Sequence, residues 1–177
     1  MNETALSAAI LLSFAAFSMS ANAAQINFTG AVTAQSCELK NGGDLNVNLS
    51  TIAESDVKEA EQVKGAMSLA ATVECEGENP SGTVTMALMP VPGAVNGKVL
   101  KNTTSGGNAA KGVGFVVFGD NGSPLDFTEG RAEITAPMNS SGVANIIIAV
   151  NYAKDGSGDD VEAGDVKAVL PFVLTYK

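Results

Sequence analysis

The sequence contains no histidine and no tryptophan, and these absences narrow the range of possible functions. Without histidine the chain lacks the usual general base and the commonest metal ligand, so a Ser-His-Asp or Cys-His catalytic arrangement is excluded. Paired carboxylates of the kind used for glycoside hydrolysis do not stand out anywhere in the sequence. The sequence therefore predicts a protein that is not an enzyme and that holds no cofactor.

Long hydrophobic runs are also missing, apart from one near the N-terminus. Ala8 to Phe17 has about the length of the hydrophobic region of a signal peptide, and it is shorter than the roughly 20 apolar residues of a membrane span. The Ala21-Asn-Ala23 triplet fits the small-x-small pattern before a cleavage site, although the segment before the run carries Glu3 and no basic residue. We therefore expect residues 1–23 to be a signal peptide that is removed on export.

Basic residues are few. Removal of residues 1–23 takes away one acidic residue and no basic one, which leaves 18 acidic against 10 basic side chains. This balance opposes binding to nucleic acid or to anionic lipid, so we expect no nucleic-acid partner.

Cysteine is limited to Cys37 and Cys75. An exported chain enters an oxidising compartment, so the natural interpretation is a single intramolecular disulfide between them. Two cysteines without a histidine are a poor set of metal ligands, and no metal site is predicted.

The remaining pattern is that of short strands. Apolar and polar residues alternate along most of the mature chain, turn signals recur, and no segment has convincing helical periodicity. The polar stretch 51–65 is expected to be a surface loop with at most one helical turn. We predict an all-β sandwich of one domain with Greek-key connections.

Two apolar rows, one at each end of the mature chain, are the clearest features. Read in steps of two, the last strand presents Val166, Ala168, Leu170, Phe172, Leu174 and Tyr176 on one face. A second row follows the predicted cleavage site and contains Ile26, Phe28, Gly30, Val32 and Ala34. These rows could cover each other within one molecule or between two, and alternation alone does not distinguish the two arrangements.

Several short motifs, taken in order, resemble the subunits of chaperone–usher pili. A glycine fourteenth from the C-terminus, Gly164, and a penultimate tyrosine, Tyr176, enclose alternating apolar residues. Near the N-terminus, Phe28-Thr-Gly30-Ala-Val32 is followed by Cys37. Other similar pieces are Gly112-Val-Gly114-Phe115, Asp120-Asn-Gly122 and the strand of Tyr152 with the glycine-rich loop after it. The resemblance covers most of residues 25–177.

This resemblance implies an incomplete immunoglobulin-like Greek-key β-sandwich that is completed by a donor strand from another subunit. Residues 24–36 would be the N-terminal donor-strand extension and residues 37–177 the sandwich domain. The donor side chains would be those of Ile26, Phe28, Val32 and Ala34, with Gly30 where the acceptor leaves no room for a side chain. The acceptor and chaperone-binding strand would comprise Gly164, Val166, Ala168, Leu170, Phe172, Leu174, Tyr176 and Lys177.

The resemblance also implies a function. Such subunits pass through the periplasm, where a chaperone lends a strand to the groove, and an outer-membrane usher then assembles them into a surface fimbrium that supports cell adhesion. The extension of the next subunit displaces the chaperone strand, which is strand addition at a sheet edge. The expected partners are the chaperone, the usher and neighbouring subunits, and a major shaft subunit is favoured. Pro171 lies inside the last strand, so its missing N–H should point away from the donor.

Two other functions are compatible with the sequence. A self-complete secreted β-sandwich could bind carbohydrate or protein, with residues 26–34 pairing with the protein's own last strand; exposed aromatic residues would support it, but aromatics are only 5% of the chain. A calcium-dependent surface domain could use the carboxylates of Asp155–Asp160, although this loop lacks the ligand spacing and bidentate glutamate of an EF-hand.

Overall fold

The computed structural model describes residues 24–32, 37–40, 44–61, 65–75 and 82–177, and for residues 31 and 32 it describes the backbone alone. These residues form eleven strands and one 3-10 turn, Glu54–Asp56. The strands are β1 (Ala24–Val32), β2 (Cys37–Leu39), β3 (Asp44–Leu49), β4 (Met67–Cys75), β5 (Thr83–Leu88), β6 (Val95–Asn96), β7 (Val99–Lys101), β8 (Val113–Phe118), β9 (Ala132–Pro137), β10 (Val143–Lys154) and β11 (Lys167–Tyr176). The predicted signal peptide and the predicted donor residue Ala34 lie outside the described residues.

The strands form two sheets. One has the order β3-β1-β11-β5-β9 and the other the order β2-β4-β10-β8-β7-β6. From β1 to β6 each connection passes from one sheet to the other, and the chain crosses again after β8, β9 and β10. Connections that cross between sheets force the sheets to pack face to face, so the molecule is an all-β, immunoglobulin-like sandwich, as predicted.

The core lies between the two sheets. Along β10 every second side chain is buried and faces inward, in the row Ala144, Ile146, Ile148, Val150 and Tyr152. The facing sheet contributes Val84, Met86 and Leu88 of β5, which are also buried. Both rows follow from the alternation of apolar and polar residues in the sequence, because a period of two places such residues on one face of a strand.

Strand β8 is buried on both of its faces. Phe115 and Val117 join the main core, whereas Val116 and Phe118 belong to a second apolar cluster on the outer face of the six-stranded sheet. Ala60 is part of this second cluster, and Val57 belongs to the main core. The stretch 51–65, predicted to be a surface loop, therefore also covers apolar surface, although its one helical turn is as predicted.

The Cys37–Cys75 disulfide is present, as predicted. Cys37 and Cys75 are directly opposite each other in the antiparallel pair of β2 and β4. The disulfide therefore fixes β2 to the six-stranded sheet, immediately after the short connection that leads out of β1.

Among the residues that the structure describes, no helix has the length and apolar character needed to cross a bilayer.

Candidate functional site: the groove beside the C-terminal strand

The predicted apolar row faces the core, with Val166 immediately before β11 and the other members within the strand. Five of its members are buried, namely Val166, Ala168, Leu170, Phe172 and Leu174, and Tyr176 is partly buried. We use the term groove for the position beside this row in the five-stranded sheet, between β3 and β11. Whatever lies beside β11 in that groove must cover it, since an exposed row of this size would drive aggregation.

In the single chain, β1 occupies this groove. It runs parallel to β11 with Gln25–Val32 in register with Lys167–Leu174, and it is antiparallel to β3 on its other side. Ile26 and Phe28 are completely buried and lie opposite Ala168 and Leu170. The position predicted for a strand of another subunit is thus filled from within the chain.

Gly30 lies where no side chain fits. It is in register with Phe172, and a Cβ on Gly30 would overlap the aromatic ring of that residue. The aromatic ring takes the place of the missing side chain, so a large residue at position 30 would have to displace either the ring or β1. Val32 is in register with Leu174 through its backbone.

Pro171 does not weaken the pairing of β1 with β11. Its carbonyl accepts a hydrogen bond of 2.8 Å from the N–H of Met89, on the β5 side of the strand. The N–H and C=O of one strand residue point the same way, so the donor that proline lacks would also face β5. The missing N–H of Pro171 therefore points away from β1.

The segment that leads into β11 is held by a side chain that the sequence did not single out. Asn102 donates through Nδ2 to the carbonyls of Ala110 and Asp165, and its Oδ1 accepts from the N–H groups of Thr104 and Lys167. The hydrogen bond from the Thr104 N–H closes a local turn of a kind that asparagine favours. This preference for turns is the only sequence signal that could have pointed to Asn102. Asn102 thereby ties the loop 102–110 to the start of β11.

Gly164 packs closely against this same loop. A Cβ on Gly164 would lie 2.5 Å from both the amide nitrogen of Ala110 and the carbonyl oxygen of Asn108. Backbone atoms cannot withdraw as a flexible side chain can, so position 164 requires glycine. Gly164, which was predicted to be part of the acceptor strand, thus lets the backbone just before β11 pack directly against the backbone of residues 108–110.

At this end of the groove lies a cavity of about 510 Å³. Its wall is mainly apolar, and the residues that matter for its chemistry are Ala24, Glu54, Tyr152, Glu162 and Gly164. Tyr152 Oη donates a hydrogen bond of 3.1 Å to the carbonyl of Ser50, and burial raises the pKa of the tyrosine hydroxyl above its ordinary value. Glu54 Oε1 accepts a hydrogen bond of 2.7 Å from the N–H of Ala163.

The opposite end of the strand joins β5. Lys177 exchanges backbone hydrogen bonds with Thr83, at 2.8 and 3.1 Å, and Tyr176 lies opposite Val84. The Lys177 side chain is exposed, which leaves the C-terminal residue at the surface next to the last pair of the ladder.

The loop that suggested calcium binding forms local turns instead. Asp155 Oδ1 accepts a hydrogen bond from the N–H of Ser157, and the hydroxyl of Ser157 accepts one from the N–H of Asp159. Within residues 24–32, 37–40, 44–61, 65–75 and 82–177, no three acidic, cysteine or histidine side chains are grouped so that they could hold a metal ion. The geometry gives the calcium hypothesis no support.

Comparison with known proteins assigns the chain to a family. A family model described as fimbrial protein matches residues 26–177. A curated relative, the fimbria adhesin protein of Klebsiella pneumoniae, is 28% identical over 154 residues, and the alignment covers 82% of this chain and 46% of the relative. The chain thus spans about half the length of that relative. Among solved structures, the CupB6 tip adhesin of Pseudomonas aeruginosa matches with a TM-score of 0.42 and 14% identity, over 62% of this chain and 35% of the adhesin.

Proposed function

Because this chain belongs to the fimbrial protein family, we propose that it is a structural subunit of a bacterial surface pilus that polymerises by donor-strand exchange. The family consists of structural, non-enzymatic proteins, which confirms the prediction that the chain is not an enzyme. In the proposed polymer, the groove beside β11 receives residues 24–36 of a neighbouring subunit in place of the chain's own β1.

The position of β1 in its sheet is the observation that carries this proposal. β1 lies between β3 and β11, so its removal would divide the five-stranded sheet and open a groove along the whole apolar row. Fully burying Ile26 and Phe28 contributes about 1.5–3 kcal/mol each, and the backbone ladder adds about 1 kcal/mol net per hydrogen bond. Only residues 33–36 separate β1 from the disulfide-bonded body, so the strand can leave without unthreading another element.

Because β1 lies in the groove of its own chain, assembly into a polymer would need a chaperone. A strand tethered to its own groove acts at an effective concentration on the order of millimolar, which a neighbouring subunit in dilute solution does not reach. We propose that a periplasmic chaperone occupies the groove before β1 can enter it and that an outer-membrane usher then directs the exchange. The C-terminal Lys177, exposed beside β5, is the residue that we propose the chaperone anchors.

The decisive test is strand complementation between two chains. Residues 37–177 alone should be unstable, and a peptide of residues 24–36 should restore a cooperative thermal unfolding transition measured by circular dichroism. The same peptide carrying Gly30→Arg should fail, because the arginine would collide with the Phe172 ring. A peptide with Thr29→Arg is the matched control, since Thr29 is exposed and should tolerate the change.

Assembly itself can be measured on the mature protein. Subunits produced with their chaperone should form multimers that resist SDS at room temperature, because a buried, fully hydrogen-bonded strand dissociates slowly. A mature chain that remains a stable monomer under all such conditions would contradict the proposal and favour the self-complete binding module. That alternative has little support in the groove or on the surface, since the exposed large apolar side chains among the described residues are all aliphatic or methionine.

A further inference from the structure

The parallel direction of β1 brings its first residue to the cavity at the entrance of β11. Both strands begin at the same end of the sheet, with Gln25 opposite Lys167, and the Gln25 N–H donates to the carbonyl of Val166 at 3.2 Å. Ala24 is buried and forms part of the cavity wall. An antiparallel strand in the same groove would place its first residue at the far end, near Tyr176.

Ala24 is also the residue that the predicted cleavage turns into the N-terminus. Cleavage after Ala23 would convert the backbone nitrogen of Ala24 from an amide into an α-ammonium group. In the structure Ala24 and Tyr152 line the same cavity. The Tyr152 hydroxyl is held in place, because it donates to the Ser50 carbonyl and its ring stacks on Phe115 with centroids 5.7 Å apart.

The charged groups of the cavity favour a cation. Two carboxylates, Glu54 and Glu162, belong to its lining. Glu162 is paired with Lys111 at 2.8 Å, whereas Glu54 forms no ion pair with any of the described residues. Glu54 is exposed at the rim and uses one oxygen for the Ala163 N–H, so it retains capacity to accept from an ammonium group.

We propose that this cavity is a binding site for the N-terminal ammonium of the processed chain, with Tyr152 Oη as hydrogen-bond acceptor and Glu54 as counter-charge. Such a site would latch β1 in its own groove only after the signal peptide has been removed, since an uncleaved chain carries a neutral amide there. This inference rests on the predicted cleavage and not on strand exchange between subunits. It assigns a role to Tyr152 and Glu54 that the groove itself does not require.

The test measures the reactivity of the Ala24 amine in the full mature protein. The chain is treated briefly with a small acylating reagent at pH 7, and modification of the N-terminal peptide is followed by mass spectrometry. Only an uncharged amine reacts, so we expect acylation about threefold to tenfold slower than in a free peptide of residues 24–36, where tenfold corresponds to one pKa unit. Glu54→Gln, which keeps the shape of the side chain, and Tyr152→Phe should each bring back a large part of the lost reactivity.

A matched control distinguishes the effect of the Glu54 carboxylate in the cavity from the effect of removing any negative charge from the same segment. Glu59 lies in the same segment but pairs with Lys154 at 3.1 Å and is not part of the cavity wall. Glu59→Gln should leave the slow acylation unchanged. Acylation as fast as in the peptide, or equal effects of Glu54→Gln and Glu59→Gln, would overturn the proposal. Because Glu54→Gln is an isosteric change at an exposed position, the test does not depend on whether Tyr152→Phe folds.

A second measurement reports on the latch directly. Mature protein with a free Ala24 amine and the same protein with an acetylated Ala24 are each mixed with a labelled peptide of residues 24–36. The acetylated form should take up the peptide faster, by about the same factor as that by which acylation is slower in the protein than in the free peptide. Equal uptake rates would count against the latch. If neither form takes up the peptide, strand exchange fails while the acylation experiment still decides whether the ammonium site exists.

Discussion

Strand β11 has two neighbours, β1 and β5, which differ in their direction relative to β11 and in the length of β11 that they pair with. β5 is antiparallel to β11 over Phe172–Tyr176 and is also paired with β9, with chain on both sides of it. β1 is parallel to β11 and covers the longer stretch Lys167–Leu174. The neighbour that covers more of the apolar row is thus the one at the end of the mature chain, and parallel pairs are slightly less stable per residue. In the proposed exchange, the side chains that β1 contributes to the core would be replaced without altering the path of the remaining chain.

The largest expected effect comes from truncating one buried side chain in each neighbour. Phe28→Ala should lower the free energy of unfolding by about 3–5 kcal/mol and Leu88→Ala by about 2–5 kcal/mol, since both side chains are completely buried. Chemical denaturation checks both values. If β1 is replaceable, a wild-type peptide of residues 24–36 restores stability to the Phe28→Ala protein and not to the Leu88→Ala protein. Rescue of both proteins, or of neither, would remove the distinction between the two neighbours.

The disulfide should come next. Replacement of Cys37 and Cys75 by serine should cost about 3–4 kcal/mol, because the crosslink closes a loop with a sequence separation of 38 residues in the unfolded chain. The crosslink lies outside the groove, so the loss measured by denaturation should be the same with and without added peptide. A loss that disappears when the peptide is present would mean that the disulfide acts through β1.

Removal of the Asn102 side chain should have a smaller effect. Asn102→Ala leaves the carbonyl of Ala110 without its side-chain donor and the N–H groups of Thr104 and Lys167 without their acceptor, while the Asp165 carbonyl keeps the Ala110 N–H. The change should cost about 1–3 kcal/mol of unfolding free energy. Amide hydrogen exchange should become faster at the start of β11, where Asn102 accepts a hydrogen bond from the Lys167 N–H. Asn108→Ala, an exposed change in the same loop, should stay within about 0.5 kcal/mol.

The smallest effect concerns pH. Burial raises the pKa of Tyr152 in the folded protein above the ordinary value of 10.0, so the folded state favours the neutral hydroxyl. The stability linked to this group is complete below the unfolded pKa and falls as the pH rises through the folded one. Unfolding measured between about pH 9 and 11 should show this fall. Tyr152→Phe should remove it, whereas Tyr176→Phe should leave it in place.

The sequence predicted the apolar rows well and the strand direction not at all. The rows of β10 and β11 follow from alternation, and the position of Gly30 beside Phe172 agrees with a residue that leaves space for a neighbouring ring. Alternation reads the same from either end of a strand, so it could not reveal that β1 runs parallel to β11. Asn102 was missed for a related reason, because its four hydrogen bonds join segments that are distant in sequence.

The position of the disulfide sets the reach of the N-terminal segment. Cys37 is covalently fixed to β4, so in the proposed exchange residues 24–36 are the part of the chain that would leave for a neighbouring subunit. Fully extended, these residues span about 43–47 Å. The ten residues of β11 measure about 33 Å, so in the proposed polymer the extended segment would be long enough to lie along the whole C-terminal strand of a neighbouring subunit. In that polymer the disulfide would fix the point from which the donated strand extends, and the segment length would limit how far apart two neighbouring subunits can lie.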